Sequence, residues 1–332
     1  MMNKMAKVAA TLVLAVSAGV AAHAQSVLHV IPLKGVPDGI GVNYLTNHIY
    51  VAIPSTDESY DYLSIINGAK DTVVTTLKIP AVAQNVAVDL VRNLVYVGGS
   101  YTDKNGNQQN QVVVIDGKLK KQKALIKVST TTGLGIEGLA VDPFTGDLYI
   151  SDASDDTIDI VRKGHTKVGV EIPVAQDPYG IAVNPYTSQA YVALSNGTVD
   201  VIDTLTNTIT TSTSIGGTNA GVAVNVATGN VFVTNNAFGI STTGVLDRNG
   251  NVLADIPVGD TPFGIDVDLV SDLAFVANTQ DGTISEINGS TNTNVNTIPV
   301  TGNYLGVNPV TSKVYVGGQD NSVTVLGETS PI

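Results

Sequence analysis

Apolar and polar positions alternate in short runs along the chain, bounded by Gly, Asn, Asp and Pro, and no stretch carries a helical period. A period of two predicts half-buried strands. The runs also repeat. A Gly-rich apolar run opens each copy: "GIGVN" 39–43, "NVAVD" 85–89, "GLAVD" 138–142, "GIAVN" 180–184, "GVAVN" 221–225, "GIDVD" 264–268 and "YLGVN" 304–308. After a short turn comes an aromatic-centred run: "IYVAI" 49–53, "VYVGG" 95–99, "LYISD" 148–152, "AYVAL" 190–194, "VFVTN" 231–235, "AFVAN" 274–278 and "VYVGG" 314–318. A third run and a fourth close the unit, and several copies then pass through Ile-Pro, as at Ile79-Pro80, Ile172-Pro173, Ile256-Pro257 and Ile298-Pro299.

Four strands in roughly 40 to 50 residues, repeated around a ring, predict an all-β, seven-bladed β-propeller of four-stranded blades. A lone blade would leave both faces wet, whereas a ring packs each face on its neighbour. The small residues Gly41, Ala87, Ala140, Ala182, Ala223 and Gly306 suit the crowded innermost strand. The seventh copy stops after three strands near Leu326. "VLHVIP" 27–32 ends in the same Ile-Pro as the closing strands, so the N-terminal strand is expected to pair with "SVTVL" 322–326 and close the ring.

These units resemble the YVTN-type repeat family, through strings such as "VFVTN", "AFVAN" and "IPVGDTPFGIDVD" 256–268. The resemblance spans nearly all of residues 25–332 and implies the propeller. It implies no single activity, because such repeats occur in exported surface proteins, binding proteins and relatives of lactonases.

In a repeat protein, function is sought where the copies differ. The residue just before each inner strand reads Asp38, Gln84, Glu137, Tyr179, Ala220, Phe263 and Asn303 in blade order. Propeller geometry puts this position at the mouth of the central channel. Asn303, Asp38, Gln84 and Glu137 then form an arc of oxygen side chains, while Tyr179 and Phe263 stand across from it. The loops between second and third strands open on the same face. They bring Asp57, Glu58, Asp61, Asp103, Asp152, Asp155 and Asp156 over the oxygen-rich side. Oxygen donors without sulfur or imidazole suit a hard divalent cation such as Ca2+, with Asp38, Glu137, Asn303 and Gln84 as the candidate ligands. Solvated loop acids and a favoured Pro-Asp-Gly turn account for the same residues without a metal. A second, local resemblance is to the senescence-marker/gluconolactonase propellers, through "IEGLAVD" 136–142 and "VPDGIGV" 36–42. It implies a divalent ion at the channel mouth held by Glu137 and Asp38.

Composition narrows the partners. Asp plus Glu number 29 against 17 Lys plus Arg. That balance disfavours phosphate backbones and anionic lipid, and leaves small molecules, saccharides, cations and proteins as partners. Cysteine is absent, so no disulfide supports the fold. Lys4 and Lys7, the apolar stretch Val8–Ala21 and Ala22-His23-Ala24 predict a signal peptide over 1–24, with one propeller domain over 25–332. The expected location is the periplasm, the cell surface or the medium, and the expected state is a monomer.

Other signals carry less. "DKNGN" 103–107 and "DRNGN" 247–251 lack the glycine and closing Glu of a calcium loop and read as hairpin turns. His29, His48 and His165 are far apart in the ring. Asp266 takes a position that is Gly or Ala in every other copy, and is expected to pair with Arg248 or a backbone donor, or else to line the channel. The sequence therefore points to an exported propeller that binds a ligand or partner over blades 1–3. Its alternative is a metal-dependent hydrolase or lyase of lactonase type, and a purely structural surface role comes third.

Overall fold

The computed structural model describes residues 25–56, 60–237 and 240–327. The expected signal peptide, Asp57 and Glu58 lie outside the described residues. Among those described there are twenty-eight strands and no helix, arranged as seven four-stranded antiparallel sheets. Blade 1 runs outward through Gly39–Asn43, His48–Ile53, Asp61–Asn67 and Thr72–Ile79. Blades 2 to 6 repeat this order, and each inner strand packs against the inner strands on either side of it. The chain is a seven-bladed β-propeller.

Blade 7 is built from both ends of the described chain. Ser26–Pro32 pairs antiparallel with Ser322–Gly327, matching Ile31 to Val323 and Pro32 to Ser322. Ile31 is buried with Ile49, Val51, Tyr315 and Val323, so the closing strand enters the core between blades 7 and 1.

One register repeats in every blade. The small inner-strand residue faces the aromatic of the second strand: Gly41 with Tyr50, Ala87 with Tyr96, Ala140 with Tyr149, Ala182 with Tyr191, Ala223 with Phe232, and Gly306 with Tyr315. Each of these rings is buried. Several end against a glycine of the next blade. A β-carbon on Gly68 would stand 2.9 Å from the Tyr315 hydroxyl, and one on Gly117 would stand 2.7 Å from the Tyr50 hydroxyl. The aromatic is thus a spacer that sets the distance between neighbouring blades, and the turn glycine makes room for it.

Asp266 keeps this register, facing Phe275, but is not small. Its carboxylate accepts the backbone N–H of Val267 and of Val307 in blade 7, each at 2.8 Å. The inner edge of a blade has unpaired N–H groups, and Asp266 satisfies one of them across the blade boundary. Of the two partners the sequence allowed, the backbone donor is the one found. Burial pushes this carboxyl up to about 6, against the pull of those two bonds.

The turns joining first to second and third to fourth strands lie on one face, called the underside below. The turns joining second to third strands, and the connections between blades, lie on the mouth face. No helix of the described residues is long and apolar enough to cross a membrane.

Candidate binding site at the channel mouth

The residue before each inner strand is aimed inward by local backbone geometry. In blades 3 to 6 the pairing register slips at this point: Glu137, Tyr179, Ala220 and Phe263 all lie within β-bulges. A bulge re-aims a side chain out of the ladder. Blades 1, 2 and 7 reach a similar position without a bulge, through a backbone bond to the second strand. Asp38 N–H donates to Ala52 O at 2.9 Å, and Gln84 N–H to Gly98 O at 3.3 Å.

The next residue is usually glycine for a steric reason. A β-carbon on Gly39 would stand 2.3 Å from the Gln84 carbonyl oxygen, and one on Gly138 would stand 2.3 Å from that of Tyr179. Two blades lack this glycine, and in both the side chain bonds to the next blade. Asn85 Nδ2 donates to Ile136 O at 2.9 Å. Tyr304 of blade 7 reaches Asp38 of blade 1 and donates its hydroxyl proton to that carboxylate.

The result is a cavity of about 230 Å³ on the channel axis. Asp38, Gln84, Glu137, Tyr179 and Phe263 line it, as the sequence places them, together with Tyr304. Asn303 is not on its wall. Its backbone carbonyl accepts the Gly264 N–H at 3.1 Å, and the following Tyr304 takes the lining place instead. The sequence carried a sign of this: "YLGVN" puts a tyrosine where most copies have glycine. Tyr304 also meets Phe263 edge to face, with ring centroids 5.4 Å apart and planes at 89°.

The carboxylates at the mouth hold their protons unusually well. Burial pushes Asp38 up to about 6, the Tyr304 hydrogen bond pulls it back, and the charge of Asp61 adds to the rise. Burial pushes Glu137 up to about 7, helped by the charges of Asp38 and Asp177. Burial likewise raises Tyr179 and Tyr304, with Glu137 acting on the first and Asp38 on the second. The charge of Asp38 thus acts on Glu137, and both carboxyls are raised towards the neutral range.

Two of the loop acids are buried rather than part of an acidic lip. Asp61 is buried and accepts the backbone N–H of Ser55 and of Ala83, each at 2.8 Å, tying blade 1 to the entry of blade 2. Asp152 is buried too. It accepts from Ser129 Oγ at 2.7 Å and from the Ser154 N–H at 3.0 Å. Asp103 holds its own hairpin through the N–H groups of Asn105 and Asn107, as Asp247 does through Asn249 and Asn251. Asp155 and Asp156 are exposed, and Asp156 also accepts the Asp177 N–H at 2.6 Å. Backbone donors left over at the loops explain most of these carboxylates.

Several of the candidate oxygen donors are already engaged or lie off the cavity wall. Gln84 Oε1 is occupied by the Ser100 N–H at 2.9 Å, Asn303 lies off the wall, and Asp38 is engaged by Tyr304. Among the described residues, no group of three or more His, Cys, Asp or Glu is placed to hold a metal ion. Calcium takes six or more oxygens at roughly 2.4 Å, and this arc offers two carboxylates.

No family model matches the chain, and no curated protein matches it. Among solved structures it is similar to the hydrazine synthase of Kuenenia stuttgartiensis. The TM-score is 0.73, over 88% of this chain and 95% of that one, at 14% sequence identity. At that identity the likeness carries the propeller fold alone. The fold is compatible with binding and interaction roles in general, and the YVTN-type resemblance rests on the repeats quoted above.

Proposed function

We propose that this chain is an exported binding protein that takes a small, positively charged organic group into the channel mouth. One observation carries the reading: a carboxylate pair, Asp38 and Glu137, shares one small cavity with the rings of Tyr179, Phe263 and Tyr304. An ammonium or guanidinium group is stabilised both by carboxylates and by aromatic faces. At about 230 Å³ the cavity is small for a drug-sized ligand and suits a compact one. The leader expected over residues 1–24 would take the protein out of the cytoplasm.

Calorimetric titration with tetramethylammonium and short alkylamines tests the reading. Affinity should rise between pH 5 and pH 8 as the carboxyls ionise, and Asp38→Asn with Glu137→Gln should remove it. Heats that are absent with every amine, or unchanged in that double variant, would sink the idea.

The second reading is a hydrolase or lyase of lactonase type. The observation in its favour is that both carboxyls exchange protons near neutrality, where a general acid or base works best. Turnover of a broad lactone panel above background, lost in Glu137→Gln, would favour it over simple binding.

A further inference from the structure

The acidic balance of the chain conceals a separation of charge between the two faces. Exposed acids gather on the mouth face, among them Asp155, Asp260, Asp281 and Asp320. The underside of blades 1 to 3 is different. Lys70, Lys118, Lys121 and Lys163 are all exposed there, in or beside the turns that join third to fourth strands. Lys120 belongs to the same group, and its charge, after burial, disfavours protonation of His48 on the neighbouring blade. The acids on this stretch are already committed. Asp71 pairs with Lys313, Asp89 with Arg92 and Asp147 with Arg162. Asp116 caps its own turn by accepting the N–H groups of Lys118 and Leu119 at 3.0 and 2.8 Å.

The lysines are interleaved with large apolar side chains that the core does not use. Leu119 is 58% exposed at the tip of the turn between Lys118 and Lys120. Phe144 and Tyr186 are 45% and 53% exposed and meet edge to face at 5.1 Å. All three stand on turns of the same face. Exposed apolar tips among lysines that make no ion pair among the described residues match an extended partner that is negative at its surface and apolar just beneath it. An anionic lipid bilayer has that chemistry. The acidic mouth face would turn away from such a surface by the same electrostatics.

We infer that the underside of blades 1 to 4 docks on an anionic membrane surface, with Leu119, Phe144 and Tyr186 dipping below the headgroups and the channel mouth facing outward. The experiment is co-sedimentation of residues 25–332, which contain all the strands of the ring, with vesicles of two kinds. One is pure phosphatidylcholine and the other an equal mixture of phosphatidylcholine and phosphatidylglycerol. Binding should be confined to the anionic vesicles at about 0.05 M salt and lost at about 0.5 M, where the Debye length falls below the reach of a lysine side chain. Changing Lys118, Lys120 and Lys121 together to Gln should weaken partitioning roughly a hundredfold. Leu119→Ser should weaken it without altering the salt dependence. Both variants alter an exposed turn, and an unchanged melting temperature will show that the ring is intact. Equal sedimentation with neutral vesicles, none with anionic vesicles, or full binding by the triple variant overturns the inference. Capture of soluble polyglutamate without vesicle binding also overturns it, and gives the face to an acidic protein.

Discussion

Tyr304 donates its hydroxyl proton to Asp38 across the boundary between the last blade and the first. The bond stabilises the ionised carboxylate and so holds Asp38 below where burial alone would put it. Tyr304→Phe should increase the proton affinity of Asp38 by roughly tenfold, the value of one charge-assisted hydrogen bond. A carboxyl-carbon NMR titration reads this directly. An unchanged or lowered Asp38 midpoint would remove the bond from the description.

Glu137 sits near 7 because of burial first and the Asp38 charge second. Asp38→Asn removes the like charge and leaves the burial. The Glu137 midpoint should fall but stay above the ordinary range of a glutamate. A return to about 4.3, the usual glutamate value, would mean that burial contributes nothing.

Asp159 of blade 3 is buried, and burial pushes it up to about 7, against the Thr157 hydroxyl that donates to it at 2.9 Å and with the charges of Asp152, Glu171 and Asp155 adding to the rise. The folded state thus binds this proton more tightly than the unfolded state does. Stability from Asp159 is complete below its usual unfolded midpoint and is lost as pH rises through about 7. Asp159→Asn keeps an acceptor for Thr157 and carries no charge. It should stabilise the protein by roughly 1–3 kcal/mol at pH 8 and by almost nothing at pH 4. Urea unfolding at the two pH values decides this, and a less stable variant at pH 8 would contradict it.

The closing strand should be costly to disturb. Ile31→Ala empties a buried place between blades 7 and 1 and should cost roughly 2–4 kcal/mol. Exposed Val30→Ala on the same strand should cost far less. Similar losses at both positions would show that Ser26–Pro32 does not add to the ring as described.

Calcium gives a further test. With two carboxylates on the wall and Gln84 Oε1 already accepting the Ser100 N–H, millimolar calcium should leave the melting temperature unchanged. A rise that vanishes in Asp38→Ala plus Glu137→Ala would restore the four-oxygen site.

The ring was legible in the sequence because its rules recur from blade to blade. The small residue facing an aromatic, the run of alternating strands and the final Ile-Pro all recur, so one irregular copy does not hide them. The mouth was legible as positions: Asp38, Gln84, Glu137, Tyr179 and Phe263 reach one cavity. It was not legible as contacts. Asn303 and Tyr304 are adjacent, and only the approach of the next blade decides which of them faces the channel. The burial of two loop acids was not legible for a related reason. A carboxylate in a loop looks the same in sequence whether it meets water or a backbone N–H, and Asp61 and Asp152 meet the backbone. Asp159 gave no sign, because a strand aspartate at that place resembles a solvent-facing one until the next blade covers it.

Blade 7 joins residues 301 positions apart, with Ser26 opposite Gly327. No shorter piece of the chain can complete the ring. A chain emerging from the ribosome would therefore hold six blades open, with two raw edges, until its last strand arrives. Closure of so long a loop is entropically slow, and it comes last in synthesis. The clasp that stabilises the finished propeller also postpones it.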